Sequence, residues 1–136
     1  MPFDLHLIRT NDFIRGDSHG MVDAKASKQR IAELAKACKE RGLDRVMLDV
    51  RDLQFGPVPV FTPAELAAVV DTFREMGFSH PQRLAVLYKV DPHHGARMFA
   101  FISRERGWNV KAFDNYEDAI QWLALSAEAL AQNQAA

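Results

Sequence analysis

The chain has 136 residues, 48% of them hydrophobic and 26% charged, which is the composition of an ordinary globular domain and excludes extensive disorder. Its 17 Lys and Arg residues against 18 Asp and Glu residues give a formal net charge of -1, which disfavours nucleic-acid binding because nucleic-acid-binding proteins carry a basic excess. The single cysteine excludes an internal disulfide and predicts a cytoplasmic location. Residues 1–12 lack the apolar core of a secretory signal, and no apolar run approaches the ~20 residues that span a bilayer.

The first segment, residues 3–22, has the pattern of a β-hairpin. Two apolar stretches flank the turn-forming residues Thr-Asn-Asp at 10–12. Gly16 and Gly20 interrupt the second stretch, which indicates either a bulge or a second turn around residues 17–19. We therefore expect two or three short antiparallel strands at the N-terminus.

A repeated order of helix, glycine and strand then runs through the rest of the chain. Gly42, Gly77 and Gly107 each follow a helical pattern and precede an apolar strand pattern. Glycine is favoured at a helix end because it adopts the left-handed conformation without steric cost. The repeat predicts an α/β fold with successive βα units, a largely parallel sheet and about four helices. We assign residues 1–125 to a single domain and expect 126–136 to be a fraying helix end or tail.

The apolar run at residues 45–51 is the predicted central strand of this sheet, buried on both faces. Asp49, Arg51 and Asp52 fall at its carboxyl end, where open α/β sheets hold their ligands. These side chains form either an ion pair that ends the strand or, together with Thr62, the lining of a cleft.

Two prolines and several apolar residues mark the following loop, residues 53–61. Because proline fixes the backbone and donates no ladder hydrogen bond, we expect a stiff apolar loop rather than a strand. Phe55, Val58 and Phe61 either cover the core or point outward as a contact surface. The sequence Thr-Pro-Ala-Glu that starts at Thr62 is a capping box, which predicts the first turn of a helix.

Three residues with reactive or metal-binding side chains have structural interpretations. Cys38 lies in the apolar stripe of the first helix, so we interpret it as a buried structural thiol. His93 and His94 are adjacent, and adjacent helical residues point ~100° apart, so a solvent-facing pair is favoured over a metal site. The chain has no phosphate-binding loop, no hydrolase motif and no sequence signal for a cofactor.

Two stretches resemble the SpoIIAA-like, STAS-related proteins: the strand that ends in Leu-Asp-Val-Arg at 48–51 and the closing helix Glu-Asp-Ala-Ile-Gln-Trp-Leu at 117–123. The resemblance covers residues 10–125. It implies a SpoIIAA-like mixed sheet and the binding of a protein partner near the start of the second helix. The wider group also resembles lipid-binding domains of the CRAL-TRIO kind, which adds a ligand-binding hypothesis.

One position departs from the family pattern. Anti-sigma-factor antagonists of this family carry an Asp-Ser-Ser-Gly-like segment at the start of the second helix, and the partner phosphorylates its serine. This chain has Phe-Thr-Pro-Ala at 61–64, so Thr62 is either a phosphorylation site or only the helix N-cap. The capping role is favoured because the capping box already uses the threonine oxygen.

Three functional hypotheses are consistent with these patterns. The first is a non-enzymatic interaction module that contacts a protein partner or a second copy of itself through four residues: Phe55, Val58, Phe61 and Thr62. The second is a binding protein for an apolar or lipid-like small molecule, held between the central strand and its neighbouring helices. The third is an enzyme that uses the polar end of the central strand, for which no base–nucleophile spacing provides support.

Overall fold

The computed structural model describes residues 3–8, 13–20, 24–54, 56–57, 59, 61–75, 77–79 and 81–135. Within these residues, five strands lie at Phe3–Ile8 (β1), Phe13–Gly20 (β2), Arg45–Leu53 (β3), Arg83–Leu87 (β4) and Asn109–Phe113 (β5). The described helices are Ala24–Arg41 (α1), Pro63–Asp71 (α2), Gly95–Glu105 (α3), Tyr116–Ala124 (α4) and Ala127–Ala135 (α5). They pack on both faces of a five-stranded sheet.

β3 is the middle strand of the sheet, as predicted for the apolar run at 45–51. The strand order is β1-β2-β3-β4-β5. The four strands from β2 to β5 run parallel to one another, which confirms the predicted βα units. Gly42, Gly77 and Gly107 have positive φ angles of 64°, 94° and 86°. Gly42 and Gly107 lie at the ends of α1 and α3, as predicted, whereas α2 ends at Asp71 and Gly77 belongs to the turns that follow it.

Of the two or three antiparallel strands expected at residues 3–22, β1 and β2 form an antiparallel pair, but β2 also runs parallel to β3 and therefore belongs to the main sheet rather than to a separate hairpin. β1 lies antiparallel along the other edge of β2. The predicted turn at 10–12 lies outside the described residues. Gly16 does not interrupt β2, and the bulge predicted around residues 17–19 is present as a register shift between Asp17 and His19.

Alternate residues of the strands point to opposite faces of the sheet and build two cores. Val46 and Leu84 belong to the larger core, which α1, α2 and α3 cover. Met47 and Ala85 belong to the smaller core, which α4 and α5 cover. We call these two sides of the sheet the Val46 face and the Met47 face.

Phe73, which is 2% exposed, is the centre of an aromatic cluster on the Val46 face. The centroid of its ring lies 5.3 Å from that of Phe78, 5.8 Å from that of Phe99 and 5.5 Å from that of Trp108. Such ring pairs add about 0.5–1.5 kcal/mol each beyond the burial of their area. Since Phe99 belongs to α3 and Trp108 precedes β5, the cluster fixes the end of α2 against both elements.

Arg83 joins β4 to the C-terminal end of α4 on the Met47 face. Its buried guanidinium donates hydrogen bonds to the carbonyl oxygens of Trp122 at 3.3 Å, Leu123 at 3.0 Å, and Leu125. The last carbonyls of a helix lack partners within the helix and carry a partial negative charge, so a buried arginine stabilises them. This contact positions α4 on the sheet.

α5 lies within residues 126–136, for which the sequence predicts a fraying helix end or tail. The Ser126 hydroxyl accepts a hydrogen bond from the backbone N–H of Ala129 at 3.1 Å, and Leu130 is buried in the smaller core. The Ala-rich and Gln-rich composition of this segment gives no apolar helical pattern, and a single buried leucine holds the helix against the sheet. The structure therefore has five described helices where about four were expected. None of these helices has both the length and the apolar character that crossing a membrane requires.

Candidate functional site

A cavity of about 240 Å³ lies at the carboxyl ends of β3 and β4 on the Val46 face. The strands contribute Leu48, Val50 and Val86 to its lining, and α1 and the first turns of α2 and α3 form its walls. Ligands of parallel α/β sheets usually bind at this end of the strands, in the crevice between the loops that follow them. The cavity is therefore the first candidate for a functional site.

The loop between β3 and α2 forms part of the cavity wall. Gln54, Pro59 and Phe61 line the cavity, and Phe61 is half-buried against the larger core. Of the residues predicted as a contact surface, Phe61 thus takes the alternative role of covering the core. The side chains of Phe55 and Val58 lie outside the described residues.

His93 contacts this loop from the side of α3. Its Nε2 donates a hydrogen bond to the carbonyl oxygen of Gly56 at 2.9 Å, and its side chain lines the cavity. The prediction of a solvent-facing histidine pair is therefore wrong for His93, although His94 is exposed. The contact joins segments far apart in the sequence, so residue spacing does not reveal it. Over the described ranges, no three His, Cys, Asp or Glu side chains are grouped in a way that would hold a metal ion.

Two buried polar side chains interrupt the apolar lining of the cavity. Arg30 on α1 is 6% exposed and Ser18 on β2 is 2% exposed. The Ser18 hydroxyl has no hydrogen-bond partner among the residues that the structure describes. Ser18 also lies at the register shift between β2 and β3. The two residues of β3 between Asp49 and Asp52 lie opposite Ser18 alone. Bulges of this kind commonly aim a side chain at a site.

Asp91 is an acidic residue of the cavity wall, and its carboxylate is engaged in capping α3. Oδ1 accepts a hydrogen bond from the Ala96 N–H at 3.0 Å. Oδ2 accepts hydrogen bonds from the backbone N–H of Arg97 at 3.2 Å and from its Nε at 3.1 Å. His94 occupies the N-cap position itself, with a left-handed φ of 58° and no side-chain cap bond. Asp91 therefore holds the first turn of α3 against the cavity.

A charged cluster lies on the opposite side of the sheet from the cavity. The Asp49 carboxylate, in a residue that is 6% exposed, accepts hydrogen bonds from Arg51 Nη2 at 2.7 Å and from Arg51 Nε at 3.0 Å. Arg15 Nη2 donates to the same carboxylate at 2.8 Å. The two guanidinium groups also lie over the ring of Tyr116, 5.8 Å and 5.9 Å from its centroid. The cluster joins β2, β3 and the start of α4.

The geometry of Asp49 decides between the two interpretations of the end of the central strand. Burial raises the pKa of the Asp49 carboxyl, but the hydrogen bonds and charge of Arg51, and the charge of Arg15, outweigh it and hold the pKa below its usual value. Asp49 and Arg51 face α4, whereas Thr62 starts α2 on the other face. The alternative in which these residues line a cleft together with Thr62 is therefore wrong, because the side chains of Asp49 and Arg51 lie on the face of the sheet opposite α2. Asp52 is exposed.

Cys38 is a buried thiol, as predicted. It lies on α1 within the larger core, and burial raises its pKa to about 11. A thiol with this pKa is protonated at neutral pH and is a poor nucleophile.

The start of α2 is an exposed turn closed by a capping box. Thr62 Oγ1 accepts a hydrogen bond from the Glu65 N–H at 3.1 Å, and Glu65 Oε1 accepts one from the Thr62 N–H at 2.9 Å, which confirms the capping box. Pro63 occupies the first helical turn. Thr62, Pro63, Ala64 and Glu65 are all exposed. The turn adjoins the cavity, because Phe61 and Pro63 line it.

Comparison with known proteins relates this architecture to a described fold. No family model matches the chain, and no curated protein matches it in sequence. Among solved structures, the chain is similar to the anti-sigma factor antagonist SpoIIAA in its unphosphorylated form, with 16% sequence identity and a TM-score of 0.55. The match covers 88% of this chain and 94% of that chain. The chain therefore has a SpoIIAA-like fold, which confirms the resemblance on which the fold prediction was based.

Proposed function

We propose that this protein is a non-enzymatic regulatory module that binds a protein partner, or a second copy of itself, through the first turn of α2. The observation that carries the proposal is the likeness to an anti-sigma factor antagonist over 88% of the chain. In the family that the sequence resembles, partners dock near the start of the second helix. The corresponding turn here is exposed and available for contact.

The geometry of this turn supports its use as a contact surface. Reciprocal hydrogen bonds between Thr62 and Glu65 hold it in one conformation, and Pro63 restricts it further. A surface that is ordered before binding loses less conformational entropy on association. We define the α2 surface as residues 62–65, with the half-buried Phe61 at its edge.

The non-enzymatic part of the proposal is supported by the separation of the polar groups suggested for catalysis. Asp49 and Arg51 bind each other and face α4, while Thr62 caps α2 on the opposite side of the sheet. A nucleophile and its base need to lie within hydrogen-bonding distance. These three residues do not form such a pair.

A photo-crosslinking experiment tests the α2 surface. A photoreactive amino acid is placed at Ala64, and in a matched control at Ala131, an exposed alanine of α5. Position 64 is expected to yield a defined adduct with a partner or with a second copy of the chain, while position 131 yields none. Equal adducts from both positions would count against the α2 surface, as would no adduct from position 64.

The cavity favours a second candidate function, the binding of a small apolar or lipid-like molecule. A lined cavity of about 240 Å³ at the carboxyl ends of the strands is the supporting observation. Native mass spectrometry of the purified protein tests this candidate. A co-purifying small molecule that is lost on unfolding is expected, and a protein mass without any bound molecule under native conditions would weaken the candidate.

A further inference from the structure

The lining of the cavity selects for the charge of a ligand as well as for apolar character, because it holds one positive and one negative side chain that differ in their contacts. Arg30 brings a positive charge to the wall at 6% exposure. Asp91 brings a negative charge, but its two oxygens already accept three hydrogen bonds from Ala96 and Arg97. Its charge is therefore directed to the start of α3 and to Arg97.

An anion is the ligand charge that this wall favours. A guanidinium in an apolar wall forms strong charge-assisted hydrogen bonds with an anionic group brought next to it. Arg30 also has other contacts within the protein, so the ligand adds a partner to a guanidinium that is already held in place. A cationic ligand would instead meet Arg30 as a like charge.

Ser18 supplies the second observation. It lies on β2, which α1 contacts, and both Ser18 and Arg30 line the cavity. Its hydroxyl is buried, and no residue that the structure describes forms a hydrogen bond with it. Buried hydroxyls are normally satisfied, so the hydroxyl of a residue that lines the cavity is a candidate partner for a polar group of a bound molecule.

The size of the cavity limits the rest of the ligand. A dry apolar cavity of about 150 Å³ accepts benzene, so by proportion a cavity of about 240 Å³ has room for roughly ten non-hydrogen atoms. The side chains of Leu48, Val50 and Val86 offer this body an apolar surface. Medium-chain carboxylates such as octanoate have this size and shape.

From these observations we infer that the cavity binds a small amphipathic carboxylate, with its apolar chain against the sheet and its head group at Arg30 and Ser18. The inference rests on the second candidate function, a ligand-binding cavity, and names the chemical class of its ligand. In this complex Arg30 selects an anionic head group, and Ser18 forms an additional hydrogen bond with it.

Calorimetric titration of the whole protein with octanoate and with octanamide tests the inference. The two probes share the same chain and nearly the same size, but only octanoate is charged. Because hydrogen bonds to charged groups exceed neutral ones by roughly a factor of two in strength, octanoate should bind about tenfold more tightly. Equal affinities would overturn the inference and leave the ligand-binding function standing, whereas no binding of either probe would contradict both.

Substitution of Arg30 tests whether this residue binds the head group. Arg30→Met should weaken octanoate binding about tenfold and leave octanamide binding unchanged, since it removes the charge and keeps an unbranched apolar side chain. Arg104→Met, at an exposed residue of α3, is the matched control and should change neither affinity. Unchanged octanoate affinity in a folded Arg30→Met variant would overturn the inference.

Chemical-shift mapping on the native protein keeps the test independent of whether the variants fold. The backbone amides around Ser18 and Arg30 should shift with octanoate more than with octanamide. Identical shift patterns for the two probes would place the head group elsewhere and overturn the inference.

Discussion

Replacement of Asp49 by Asn removes the charge that holds two arginines at the end of the central strand. Asp49 is 6% exposed, and removing one member of a buried pair typically costs about 3–5 kcal/mol. Here the side chains of Arg15 and Arg51 are 25% and 38% exposed, so both guanidinium groups can turn toward water. We therefore expect a smaller loss of unfolding free energy, about 2 kcal/mol at pH 7, and a Tm lower by about 8 °C.

The pH dependence of this loss of unfolding free energy shows whether the Asp49 charge or only the packing of its side chain is responsible. The folded-state pKa of Asp49 lies below the value of about 3.9 that an unfolded aspartate has, so its contribution is complete above about pH 5. The contribution is lost as the pH falls through the folded-state pKa. The stability difference between the native protein and Asp49→Asn should therefore stay constant from pH 7 to pH 5 and narrow below about pH 4.

Urea unfolding followed by circular dichroism at several pH values measures both quantities. Asp52→Asn is the matched control, since it removes the same charge from an exposed neighbour on β3 and should change stability by less than about 0.5 kcal/mol. An Asp49→Asn variant as stable as the native protein at pH 7 would refute the role of the ion pair. A difference that persists unchanged at low pH would show that the charge is not its cause.

Three further predictions concern the two cores. Phe73→Ala should lower the unfolding free energy by about 3–5 kcal/mol in urea titrations, because it empties the centre of four packed rings, and a loss below about 1 kcal/mol would contradict that packing. Arg83→Met should cost about 2 kcal/mol by the same measurement, because it leaves the last carbonyls of α4 without their donor, and an unchanged midpoint would argue against this cap. Cys38 should react with a thiol reagent at pH 8 only after unfolding, because its pKa is about 11 and it is buried, and fast reaction of the folded protein would disprove both.

The features that the sequence predicts correctly depend on signals close together in the chain. Gly42 and Gly107 lie at helix ends because a residue without a side chain adopts a positive φ freely, and that requirement is visible at single positions. The capping box at Thr62 needs four consecutive residues. The apolar run at 45–51 indicates burial on both faces, which is the environment of a central parallel strand.

The features that sequence analysis missed depend on contacts between distant segments. Arg15 and Tyr116 join Asp49 from β2 and α4, and neither position shows a pattern that marks it. The cavity also depends on contacts between distant segments, because Ser18 and Arg30 line it together only when α1 packs over the sheet. The parallel pairing of β2 with β3 is also long-range, so the sequence indicates the antiparallel pair of β1 and β2 but not the second partner of β2.

The contact role of the α2 surface is tested most directly by competition for the adduct formed from position 64. Untagged native protein and its Ala131→Arg variant should each suppress that adduct, whereas Ala64→Arg should not, because a long charged side chain then occupies the exposed turn. Equal suppression by all three proteins would show that the partner binds elsewhere on the fold.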